Sequence, residues 1–96
     1  MILDKNQVIK WECNNWYLRE DNFIQICTQN GGNVILNKTI AKIWISIDYE
    51  TSIEELWNKV RSIVSWEELS SAVEQLHLYN LVQLVDVENE FDSIFG

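Results

Sequence analysis

Apolar and polar residues alternate along the first third of the chain. In Val8-Ile9-Lys10-Trp11-Glu12-Cys13, the residues Ile9, Trp11 and Cys13 fall on one face and Val8, Lys10 and Glu12 on the other, the period of a half-buried strand. Asn14-Asn15 can turn the chain, because asparagine tolerates positive φ. The alternation resumes over residues 16–20, breaks at Asp21-Asn22, and returns in Phe23-Ile24-Gln25-Ile26-Cys27-Thr28, the clearest strand of the set. Gly31 and Gly32 lie in a hairpin loop over residues 28–33 that leads into Val34-Ile35-Leu36. This third therefore predicts a small antiparallel sheet.

At Asn37 the period changes. Its side chain can accept from a backbone N–H two or three residues on, and Ile40, Ala41, Ile43, Trp44 and Ile47 follow at helical spacing to about Asp48. Residues 49–51 then read as a linker. Ser52-Ile53-Glu54-Glu55 has the capping-box arrangement, and a second helix places Ile53, Leu56, Trp57, Val60 and Val64 on one face. Ser65-Trp66-Glu67-Glu68 repeats the box, which starts a third helix a residue or two after the second ends and turns the chain sharply. That helix, residues 66–79, buries Leu69, Ala72, Val73 and Leu76, and Asn80 suits a left-handed position at its end. Leu81-Val82-Gln83-Leu84-Val85 reads as a closing strand. The order predicts an α+β winged helix-turn-helix: an N-terminal three-stranded antiparallel sheet, three helices and a short closing strand.

At 96 residues there is room for one domain, assigned to residues 1–86, with 87–96 as an acidic tail. An apolar fraction of 47% with five tryptophans predicts a folded core. Fifteen acidic against seven basic side chains give a charge of −8, a field that repels nucleic acid and anionic membrane. Cys13 and Cys27, without a secretory signal, are expected to stay reduced in the cytoplasm, and no apolar run reaches the ~18 residues of a membrane span.

Catalytic constellations are scarce. His77 is the single histidine, and no local spacing supplies it with serine and aspartate partners. Two cysteines and one histidine do not complete a zinc set without carboxylates. Glu54-Glu55 and Glu67-Glu68 sit in first helical turns, where negative charge favours the helix dipole. Gly31-Gly32 lacks the Lys-Ser/Thr of a phosphate loop. The expectation is a non-enzyme that uses no cofactor and no metal.

A winged helix suggests DNA, and a DNA-binding regulator is one alternative. Its recognition helix would carry Glu67, Glu68 and Glu74 and no lysine or arginine, which opposes the phosphate contacts such binding needs. A structural subunit of a larger complex is another. A sheet that ends beside a helix offers a third use: unpaired N–H and C=O groups on Val34-Ile35-Leu36, with the third helix as a wall, can take an extended peptide as an added strand. The same three residues also fit a strand that is simply core.

Leu36-Asn37-Lys38-Thr39-Ile40-Ala41-Lys42-Ile43-Trp44, continued by Asp48, Glu50-Thr51 and Glu55-Leu56, resembles the LN-x-T-x-A-x-x-W segment and its D-x-x-(R/T)-x-x-E-L continuation in PqqD-like proteins, the precursor-peptide recognition elements of ribosomally made peptide natural products. The likeness covers roughly residues 16–86. It implies a stand-alone, non-catalytic domain, a monomer or weak homodimer, that captures the leader segment of a precursor and presents it to modifying enzymes. Those would be a lasso-peptide peptidase and cyclase or a radical-SAM maturase. In that family the leader lies between the third strand and the third helix, which here implies Asn33, Val34, Ile35 and Leu36, with Leu69, Ser70, Val73, Glu74 and His77 on the helix. Two positions depart from the pattern: Tyr49 and Asn80 stand where the family often has glycine.

Overall fold

The computed structural model describes residues 3–28 and 30–86; the acidic tail lies outside the described residues. The chain runs β1 (Gln7–Trp11), β2 (Trp16–Leu18), β3 (Ile24–Cys27), β4 (Asn33–Leu36), α1 (Lys38–Ile47), β5 (Glu50–Ser52), α2 (Ile53–Val60), α3 (Trp66–Leu78) and β6 (Val82–Asp86). Among the described residues this is an α+β arrangement of three helices and two antiparallel three-stranded sheets, ordered β5-β1-β6 and β2-β3-β4.

The first strand leaves the hairpins that follow it. Ile9 is fully buried at the centre of β1, paired with Thr51 of β5 on one side and Leu84 of β6 on the other. The single N-terminal sheet expected from alternation is therefore split. Alternation reports which side chains turn inward, but it carries no information on which strand supplies the hydrogen-bond partners. Residues 49–51, read as a linker, hold β5. Three residues are too few to show a period, and this strand exists because β1 pairs with it. Thr51, 7% exposed, satisfies its hydroxyl by donating to Glu55 Oε2 at 3.1 Å.

The β2-β3-β4 hairpins form where the turn chemistry predicts. Asn22 takes φ 68° between β2 and β3, and its N–H donates to the Arg19 carbonyl. Between β3 and β4, Gly31 takes φ 82°, Gly31 N–H donates to the Thr28 carbonyl, and Thr28 N–H donates to the Gly32 carbonyl. Glycine takes that positive φ without steric cost, which lets the two bonds close the loop.

Asn37 caps α1, its Oδ1 accepting from Ile40 N–H at 3.0 Å. Ala41, Ile43, Trp44 and Ile47 are the buried face. Ser65 and Glu68 form the full reciprocal box at α3, whereas Ser52 caps α2 alone, because the Glu55 carboxylate is engaged by Thr51. Helix α2 ends at Val60, earlier than the spacing of Val64 suggested, so a five-residue turn precedes α3; Val64 is still buried there, its N–H donating to the Val60 carbonyl. Trp11, Trp16 and Trp44 join both sheets to α1: the Trp11 and Trp44 rings stack at 5.2 Å, Trp16 meets Trp11 edge-on at 5.1 Å, and Trp11 Nε1 donates to the Trp44 carbonyl.

Candidate functional site

The strand order leaves one side of β4 bare. Strand β4 pairs with β3 in the register Ile24 with Leu36 and Ile26 with Val34, and among the described residues no strand lies against its other side. Antiparallel partners alternate between exchanging both hydrogen bonds and exchanging none. The bond from Thr28 N–H to the Gly32 carbonyl sets the phase, so Val34 and Leu36 turn their N–H and C=O toward β3, while Asn33 and Ile35 turn theirs outward. Ile35 is 44% exposed, on the outer face with Gln25 and Tyr17; the Tyr17 hydroxyl donates to Gln25 Oε1, and Gln25 Nε2 donates to Asn33 Oδ1.

Alongside that rim runs α3. A cavity of about 450 Å³ lies between them, lined from the strand side by Phe23, Val34, Leu36 and Ile40 and from the helix by Gln75, Leu76 and Tyr79. It adjoins two others. One, about 300 Å³, shares Asn37, Ile40 and Gln75 and reaches Glu68 and Ser71; the second, about 540 Å³, shares Val34 and Tyr79 and reaches Glu12, His77 and Asn80. The three make a groove along β4 and past the start of α1.

Asn33, Val34, Ile35 and Leu36 all line its central part. Of the helix residues implied by the family resemblance, His77 lines the groove, while Gln75, Leu76 and Tyr79 line its central part. Leu69 and Val73 are fully buried and fill the core, so their side chains do not reach the groove. The arc Leu69, Ala72, Val73, Leu76 has two flanks at helical spacing, one through Ser70, Glu74 and His77 and the other through Ser71, Gln75 and Tyr79. The second flank borders β4, and of the first flank only His77 lines any of the three cavities, at the far end beside Glu12. Both flanks are polar in sequence, so the choice between them is made by how α3 packs on α1 and β6.

The groove is mixed in character. Its centre is apolar with amide side chains on the margins, and no lysine or arginine lines the three cavities among the described residues. Cys13 lines the outer cavity with its thiol donating to the Cys27 carbonyl at 3.3 Å, and the Cys27 thiol donates to Asn33 Oδ1. Among the described residues no three histidine, cysteine, aspartate or glutamate side chains gather as metal ligands, and no helix is long and apolar enough to cross a membrane. Comparison of the chain with protein-family models, with curated proteins and with solved structures gives no match.

Proposed function

We propose that this chain is a non-catalytic peptide-recognition domain that captures the leader segment of a ribosomally made precursor and presents it to modifying enzymes in the cytoplasm. The leader adds as a fourth strand to the β2-β3-β4 sheet, seated between β4 and α3. The observation that carries this reading is the outward set of main-chain groups on Asn33 and Ile35 beside a groove with an apolar floor. An added strand gains main-chain hydrogen bonds there, and side-chain pockets next to it supply selectivity. The resemblance of residues 36–56 to the PqqD-like segment supports the same use, and with it a winged-helix reading of β2 to β6. The acidic α3, with Glu67, Glu68 and Glu74, disfavours DNA as the occupant.

Hydrogen exchange of the full chain, titrated with the leader region of the precursor encoded beside its gene, tests the proposal. Binding near micromolar affinity, about −8 kcal/mol, is expected to slow exchange at the Asn33 and Ile35 amides and to leave Val34 and Leu36, already bonded to β3, little changed. Protection at β5 or β6 instead, or no saturable change, overturns it.

A further inference from the structure

The groove has unlike ends, and Tyr79 stands between two of its cavities, 63% exposed and lining both. In a strand paired with β4, the residues opposite Val34 and Leu36 send their side chains to the face those two occupy. They are alternate residues, about 7 Å apart. Near Leu36 such a side chain meets Phe23, Ile40 and Leu76, an apolar environment. Near Val34, on the other side of Tyr79, it meets Glu12 and His77 among Thr28, Asn30 and Asn80. Lys10, whose ammonium feels the charge of Glu12 after those of Tyr49 and Glu50, lies 5.2 Å from the Tyr49 ring and does not line the cavity.

We infer that the groove selects an extended segment carrying an apolar residue and a basic residue two positions apart, one seated on each side of Tyr79. This rests on strand addition at β4. A cation opposite Glu12 gains from an exposed carboxylate and from the −8 charge of the chain, and both gains shrink with added salt.

Three blocked octapeptides on a Ser/Thr background serve as probes, titrated into the isotope-labelled full chain at low ionic strength and followed by amide shifts of Ile35 and Gln75. One carries Leu and Lys two apart, one Leu and Glu two apart, one Leu and Lys adjacent. The first is expected to bind at least fivefold more tightly than either of the others. Glu12→Gln should narrow its preference over the Leu/Glu peptide at least twofold and leave its preference over the adjacent pair intact. Equal affinities, an unchanged preference in Glu12→Gln, or no shift from any probe at about 5 mM while the precursor leader does shift Ile35, overturns the selectivity and leaves strand addition standing. If the leader also fails to move Ile35, strand addition falls with it.

Discussion

Tyr49 is the residue least at ease with its backbone. It takes φ 75° directly after Asp48 at φ 49°, a left-handed pair that closes α1 and aims the Tyr49 carbonyl at Trp11 N–H, 2.8 Å away, where β1 passes. Left-handed φ costs an ordinary L-residue roughly 1–2 kcal/mol, with short polar residues such as aspartate better suited to it than an aromatic. The Tyr49 ring lies beside Lys10, whose pKa is raised from 10.5 first by a hydrogen bond to Tyr49 and then by its charge. Any variant lacking the phenol loses that contact alike. Tyr49→Gly and Tyr49→Ala both lack it, and their difference isolates the backbone. On ordinary backbone alanine is the more stable; here Tyr49→Gly is expected to exceed Tyr49→Ala by about 1 kcal/mol in urea denaturation. Tyr49→Ala emerging as the more stable of the two, as on ordinary backbone, would show that the turn carries no strain. The sequence alone marks this site only by the absence of a glycine where a turn must reverse, whereas Asn22 and Asn80, at φ 68° and 59°, announce their turns by residue type.

At the scale of elements, caps were the legible signals. Asn37, Ser52 and Ser65 each accept the backbone N–H that their positions predict, at 3.0–3.1 Å. What differs is the return bond. Glu68 Oε1 accepts from Ser65 N–H at 3.1 Å, while Glu55 bonds Thr51, so the two sequences with the same box have different local networks. Ser65→Ala therefore strands an α3 N–H and loosens its reciprocal partner; a loss of about 1 kcal/mol is expected. Glu68→Gln keeps an acceptor at that position and should cost less than half as much, and a cost equal to that of Ser65→Ala would place the energy in the charge of Glu68 instead of its hydrogen bond. Helix ends set by tertiary packing were less legible. Val64 is buried at the spacing of an α2 continuation, yet α2 has already ended at Val60, because burial of an apolar side chain does not require the helix to reach it. The flank of α3 that meets β4 was hidden for a related reason: Ser70 and Ser71, or Glu74 and Gln75, border the same apolar arc and differ only in which neighbour the arc is packed against.

For the whole molecule, the decisive feature is that β1 is recruited away to pair with β5 and β6, which come from distant parts of the chain, and β4 is left at the margin of a separate sheet. Such long-range pairing leaves no local trace, so the sequence pointed to β4 as a strand and to α3 as its neighbour without showing how the sheet divides. The outward phase of Ile35 gives a direct test of what the margin does. Proline lacks an N–H, holds φ near −65°, and is tolerated on sheet margins where no ladder bond is lost. In Ile35→Pro the missing N–H is one that faces away from β3, the preceding Val34 is already extended as proline requires, and the side chain is half exposed. The domain should remain folded by circular dichroism, with leader affinity reduced at least tenfold as the ring blocks the incoming strand. In Val34→Pro the lost N–H is one bonded to Ile26, so that variant should lose several-fold more stability than Ile35→Pro. A larger loss in Ile35→Pro than in Val34→Pro would mean that the hydrogen-bond phase of β4 is reversed. A folded Ile35→Pro that binds the leader with undiminished affinity would mean that the peptide does not enter as a strand on β4.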